Sequence, residues 1–178
     1  MTNTLFQSAP DFDQPIAVLK HCHDKIRKQL STMQKLLPHL AEFGADFDAK
    51  QGASAVLKYF DEAAPKHHAD EEEDLLPMLQ SVAVADDAQT LARLLPEILQ
   101  EHEQMEALWD DIARQLRLVA SGDSRELSTE AVQRFADLYS THMEKEEGHI
   151  APMAKRLFSD EQMTKLGCAM KQRRGITD

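Results

Sequence analysis

The sequence predicts an all-α protein: an up-down-up-down four-helix bundle with an N-terminal arm and a short C-terminal helix. Three observations predict it. Apolar residues recur at helical spacing through four long segments, and no segment shows sustained strand alternation. Short polar stretches join those segments, as suits antiparallel neighbours. Gly counts 6 and Pro 7 in 178 residues, too few for the turns of a β sandwich or barrel. The length suits one domain, so 1–178 is read as one unit. The bundle covers about 14–153 and the tail helix about 160–173.

Residues 1–12 read as an extended arm. A first helix follows over about 14–43, with Asp13 as N-cap, Pro15 in the first turn and Gly44 closing it. Its stripe is Ile16, Leu19, Ile26, Leu30, Met33, Leu37 and Leu40, with His23 on the same face; Pro38 kinks or ends it. A second helix, about 50–79, carries Val56, Tyr59, Phe60, Ala63, His67, Glu71 and Leu75, and Pro65 predicts a kink near His67. A third, about 87–120, aligns Leu91, Leu95, Ile98, His102, Met105, Trp109, Ile112 and Leu116, with a kink expected at Pro96. After the polar loop SGDSRELS, Ser128 caps a fourth helix over about 129–150. It aligns Phe135, Leu138, Tyr139, His142 and Glu146, and Pro152 is expected to break it. Ser159 and Gln162 form a capping-box pattern before the tail helix.

Composition excludes several function classes. Lys+Arg count 20 against Asp+Glu 31, a net charge of −11. So acidic a surface repels phosphate backbones and anionic lipid heads, which argues against nucleic acid or membrane as partner. The N-terminus lacks the basic and apolar regions of a signal peptide, and no stretch has the apolar length of a membrane span. Cys22 and Cys168 form no CxxC motif and read as free thiols in a reducing cytoplasm, with Cys168 expected in the core.

The chain repeats itself. Residues 67–77 read HHADEEEDLLP and 142–152 read HMEKEEGHIAP. Aligned on His67 and His142, both have Glu at +4 and +5 and Pro at +10, with Phe60 and Phe135 at −7, an offset of 75 throughout. His23 and His102 align at an offset of 79, each followed by apolar residues at +3, +7, +10 and +14. Each half therefore reads as a lone His on one helix and His-x-x-x-Glu on the next. The separations of 44 and 40 residues let an antiparallel hairpin bring them to one level. Eight His and 15 Glu would give about 0.7 His-x-x-x-Glu pairs by chance, and four occur, so the pattern calls for a chemical reason.

Metal binding supplies one. Residues i and i+4 of a helix project from one face about 6 Å apart. Imidazoles and carboxylates projecting inward from facing helices build di-iron or di-manganese sites. The inward set is His23, His67, Glu71, His102, His142 and Glu146. If both carboxylates and an oxo or hydroxo group bridge, and each metal takes two His, each has five ligands and one open position, which suits small-molecule chemistry. Two unpaired carboxylates in a core would instead cost several kcal/mol.

The remaining candidates compete with blander roles. His68 is shifted about 100° from His67 on the helix, and His21 fits its stripe less well than His23. His149 reads as a partly exposed residue, or one lining an entrance, and His39 as solvated. Glu106, Glu72 and Glu147 stand where an additional ligand can sit. EEED at 71–74 otherwise reads as a solvated face. Tyr139 is a core residue or a hydrogen-bond donor near a bound diatomic. KQRRGITD reads as a solvated helix end or a partner contact.

The segments CHDKIRKQL, HHADEEEDLLP, EHEQMEALW and HMEKEEGHIAP, spanning residues 22–152, resemble the hemerythrin-like, or HHE cation-binding, family. The resemblance implies two iron ions with an oxo or hydroxo bridge inside a four-helix bundle. It implies His23, His67, His102 and His142 as terminal ligands and Glu71 and Glu146 as bridging ones. The dioxygen-carrying hemerythrins have a further His four after the third-helix His, and an Asp five after the fourth-helix His. Glu106 and Glu147 stand there here. The four-His, two-Glu set is more similar to di-iron proteins that repair nitrosative or oxidative damage to iron–sulfur clusters. Those often carry an N-terminal cysteine-bearing segment that this sequence does not show. The expectation is a cytoplasmic non-haem di-iron protein that binds or reacts with O2, NO or peroxide in sensing, stress protection or cluster repair, with an electron-donor protein as a possible partner. Alternatives are an iron storage or donation module, a reversible O2 carrier, and a metal-free structural bundle.

Overall fold

The computed structural model describes residues 11–176, all of whose regular structure is helical. There are five helices among the described residues: α1 (Pro15–Phe43), α2 (47–82), α3 (Ala85–Ser121), α4 (129–157) and α5 (Asp160–Arg173). The first ten residues of the expected arm lie outside the described residues. Gln14, not Asp13, is the N-cap of α1, and it makes no side-chain bond. Pro15 suits the first helical position, where the N–H it lacks would have no intrahelical partner. Gly44 ends α1 at φ 71°, a left-handed conformation that disfavours a Cβ. Asp46 and Ser128 cap α2 and α4 by accepting from Ala49 N and Ala131 N. Ser159 and Gln162 form the expected capping box of α5.

Of the prolines, Pro152 departs from expectation. Pro38 and Pro96 lie inside α1 and α3, which run on through them. The helix carrying Pro152 does not stop there but continues to Leu157. A π turn precedes each proline of α2 and α4: Tyr59–Ala63 before Pro65, Asp70–Leu75 before Pro77, and Glu146–Ile150 before Pro152. A proline lacks an N–H and clashes with the carbonyl of residue i−4. One extra residue in the preceding turn re-registers the ladder around it, so the helix survives. Two of these turns contain Glu71 and Glu146.

Two apolar clusters occupy opposite ends of the molecule. One holds Ile16 and Leu19 of α1, Leu75 and Leu79 of α2, Leu91 and Ile98 of α3, and Ile150 and Met153 of α4. The other holds Ile26 to Leu40 of α1, Ala49 to Ala64 of α2, Met105 to Val119 of α3, and Val132 to Met143 of α4. Sequence order therefore fixes direction: α1 and α3 run from the first cluster to the second, and α2 and α4 run back. Each of these four helices packs against two others, α1 on α2, α2 on α3, α3 on α4 and α4 on α1. Between the clusters lies a layer of buried polar residues.

Helix α5 covers the first cluster with Leu166 and Met170. Its basic end is not solvated. Arg173 and Arg174 bond Asp70, which has no exposed surface, and Arg173 also reaches Glu73 and Asp74. Of the EEED run, Glu71 is buried and Asp74 half-buried, while Glu72 and Glu73 are exposed as expected. Cys168 faces solvent rather than the core, because Gly167 and Leu166 are the buried residues of that turn. Both cysteines are free. A Cβ on Gly167 would stand 2.1 Å from the Phe12 carbonyl oxygen. Gly167→Ala is expected to force residues 11–14 off α5 and cost about 1–3 kcal/mol. A lower urea midpoint at unchanged slope would show this; an unchanged midpoint would mean that the segment moves freely.

Candidate metal centre

Six side chains converge in the polar layer: His23 of α1, His67 and Glu71 of α2, His102 of α3, and His142 and Glu146 of α4. None is more than 4% exposed. They form two groups of four that can hold a cation, His23–His67–Glu71–Glu146 and Glu71–His102–His142–Glu146, with candidate ligand atoms within 4.8 Å of one another in each. Both carboxylates belong to both groups. Nε2 of His67 lies 3.2 Å from Glu71 Oε1, and Nε2 of His142 lies 3.2 Å from Glu146 Oε1, the i, i+4 pairs of the repeat. Across helices, His23 Nε2 is 3.1 Å from Glu146 Oε2, and His102 Nε2 is 3.4 Å from Glu71 Oε2.

The opposite ring nitrogens face other partners. Nδ1 of His23 donates to Glu147 at 2.9 Å, and Arg27 donates to the same oxygen at 2.8 Å. Nδ1 of His102 donates to Glu72 at 2.6 Å. Nδ1 of His142 donates to Glu101 at 3.0 Å, and Lys145 bonds both Glu101 and Glu97. Nδ1 of His67 is buried without a hydrogen-bond partner among the described residues. A carboxylate behind Nδ1 keeps the proton there and leaves the Nε2 lone pair facing inward, the tautomer that a metal requires.

Without a cation the layer is frustrated. Burial, and then the Glu146 charge, push Glu71 up to about 7. Burial opposes ionisation of Glu146 as well, but His142 and His23 outweigh it and hold that carboxyl well below the usual range. Burial opposes charge on His142, yet Glu146 and Glu101 push it up to about 10. His23 and His102 are also raised, against burial, by Glu146 and Glu71 respectively. His67 is held well below its ordinary value by burial, then by His23. His23 Nε2, Glu71 Oε2 and Glu146 Oε2 are buried without an aligned hydrogen bond, their close neighbours notwithstanding. Buried, unaligned N and O atoms from α1, α2 and α4, beside the imidazole of His102 from α3, fit a cation. Nitrogen with carboxylate oxygen suits iron, zinc or manganese.

Two cavities reach the layer. One of about 860 Å³ between the start of α1 and the end of α4 touches His23, Glu71 and Glu146, with Lys20, His21 and Lys155 at its walls. A second of about 440 Å³ between α2 and α3 touches His102 and is lined by His68, Tyr139 and Trp109.

The other candidates separate cleanly. His68 is outside both groups; its ring stacks on His102 at 4.0 Å, and the Tyr139 hydroxyl faces its Nε2 at 3.4 Å. Burial, then His102, hold His68 well below its ordinary value. Tyr139 is a buried core residue. His149 is exposed, and His21 is half-buried at a cavity wall. His39 is not free in solvent: it pairs with Asp46, the α2 cap, at 2.8 Å. Glu106 is exposed at the second cavity and belongs to neither group. Glu72 and Glu147 support imidazoles instead of joining the groups. Sequence reasoning missed Glu101 and Asp70. Glu101 directly precedes His102 but has no counterpart in the repeat, because Cys22 precedes His23.

No helix among the described residues is long and apolar enough to cross a membrane. A family model described as the hemerythrin HHE cation-binding domain matches residues 14–154. A Haemophilus influenzae protein, itself described as uncharacterized, is 28% identical over 172 residues, which cover 97% of this chain and 96% of that one.

Proposed function

We propose a function from one premise: the chain belongs to the hemerythrin HHE cation-binding family, and is a helical metal-binding domain. In this reading α1 to α4 form an up-down-up-down four-helix bundle around two iron ions joined by an oxo or hydroxo bridge. His23 and His67 would hold one ion and His102 and His142 the other, with Glu71 and Glu146 shared by both. The carrying observation is that both carboxylates belong to both four-residue groups. A pair of ions sharing two carboxylates accounts for it; two independent sites do not.

When bound, the iron pair supplies exchangeable electrons and an open coordination position for O2, NO or peroxide. The chain's own residues do the rest. Glu147, Glu72 and Glu101 hold protons at Nδ1 of His23, His102 and His142, which turns each Nε2 inward. Against burial, His23 and then Arg27 hold Glu147 below the usual carboxylate range, as His142 and then Lys145 hold Glu101. The two apolar clusters close the layer above and below, so small molecules enter sideways through the cavity beside His23. We place the protein in the cytoplasm, reduced by an electron-donor protein, in sensing, stress protection or iron–sulfur cluster repair. Glu106, exposed and away from both groups, favours this over reversible O2 carriage, for which the family's carriers use a further His at that position.

Anaerobic loading with ferrous iron, followed by oxidation, tests the reading by metal analysis and the visible spectrum. Two irons per chain and bands that shift with azide are expected. No stoichiometric iron and an unchanged spectrum would overturn it. A stable oxygenated form would favour the carrier, and rapid iron loss to a mild chelator the storage module.

A further inference from the structure

The internal repeat is broken at one place beside the candidate centre. In both halves the lone His is backed by the Glu five after the His of the other half: His23 by Glu147, and His102 by Glu72. These two bonds are equivalent under the repeat. The bond from His142 to Glu101 has no such equivalent. Its counterpart would join His67 to the residue before His23, and that residue is Cys22. The base that pairs with Glu101, Lys145, is likewise matched by an acid, Asp70, which Arg173 and Arg174 occupy. Nδ1 of His67 is left buried and unpartnered among the described residues.

We infer that the two metal positions are unequal, the ion of His23 and His67 being held less tightly and exchanging first. A carboxylate behind Nδ1 fixes the ring and makes Nε2 a stronger donor; its absence costs about 10–100-fold in metal affinity. At the His102–His142 position both imidazoles have that support. At the His23–His67 position only His23 has it. The weaker position is also the more accessible one. The larger cavity reaches His23, Glu71 and Glu146, while the smaller reaches only His102 of the six. Glu101 is thus a positioning residue for one ion, and Glu147 for the other.

The inference rests on the ligand assignment proposed above, and one measurement separates their failures. The intact chain is loaded anaerobically with two ferrous ions and mixed with excess bipyridine, whose complex is followed by absorbance. Two phases of one ion each are expected, with rates differing about 10–100-fold. Glu101→Gln should accelerate the slow phase and leave the fast one. Glu147→Gln should accelerate the fast phase and leave the slow one. A substitution that merely loosened the fold would move both. Release of both ions in one phase from the unsubstituted chain, which needs no variant to fold, would overturn the inequality and leave the centre standing. A slow phase indifferent to Glu101→Gln would overturn it too. A chain that takes up no iron would overturn the centre itself.

Discussion

Glu71→Gln is expected to abolish stoichiometric metal binding and, in the same variant, to stabilise the metal-free protein at pH 8. The two effects have one origin. Glu71 stands in both four-residue groups, so its loss weakens both positions. An amide keeps the shape but brings no charge to offset a cation. The loss of affinity should exceed the 10–100-fold typical of a supporting residue. An ion bound only to the folded state stabilises it by about 4 kcal/mol at a thousand times its dissociation constant, and the variant should forfeit that increment. In the metal-free chain the sign reverses. The folded-state pKa of Glu71 is about 7, against an ordinary value of 4.5. The folded state then binds the proton more tightly than the unfolded one. The contribution of Glu71 is complete below 4.5 and is lost as pH rises through 7, by on the order of 3 kcal/mol once the group is ionised. Gln cannot ionise and escapes that loss.

Glu146→Gln provides the contrast. His142 and His23 hold Glu146 well below its ordinary range, so its charge supports the metal-free fold above pH 4.5. Its loss should weaken metal binding as Glu71→Gln does, yet destabilise the metal-free protein. Metal analysis and urea denaturation at pH 8, with and without iron, check both. Equal iron content in Glu71→Gln and the unsubstituted chain would refute the shared role. A metal-free Glu71→Gln less stable than its parent would refute the frustration.

What could be seen in the sequence, and what could not, divides along the range of the interaction. The five helices follow from 3.6-residue periodicity and local caps, both readable within a few positions. The convergence of His23, His67, Glu71, His102, His142 and Glu146 was legible because the repeat reports a long-range symmetry in local text. Pro152 misled because its clash is a local rule, whereas the extra residue of Glu146–Ile150 that relieves it is not marked by any residue type. Asp70 looked like one more acid in an acidic run. Its partners, Arg173 and Arg174, lie more than a hundred residues away. Glu101 was hidden by the symmetry that revealed the others, since the repeat has Cys22 in its place. The acidic surface reads differently in consequence. Glu72, Glu101 and Glu147 are drawn from it to hold imidazoles.

Metal uptake should depend steeply on pH, and the direction follows from the protons that the metal-free layer retains. His142 is pushed up to about 10, so at neutral pH it carries a proton that an ion must displace. Glu71, near 7, carries another below neutrality. His23 and His102 are raised as well. Each displaced proton changes affinity about tenfold per pH unit. Affinity should therefore rise with pH, by at least about tenfold per unit above pH 7 and more steeply below it. The metal-free fold should respond in the opposite sense. The contribution of His142 is complete below 6.5 and is lost as pH rises toward 10, and Glu71 adds to that loss between 4.5 and 7. Acid removes the contribution of Glu146 instead. The metal-free chain should thus be most stable in mildly acidic solution, and the metal-bound chain in mildly alkaline solution. Calorimetric titration with a divalent ion in buffers of different ionisation enthalpy counts the protons released. At least one proton per chain at pH 7.5 is expected, and release of none, with affinity level from pH 6 to 8, would show that the six side chains do not compete for protons and metal at one centre.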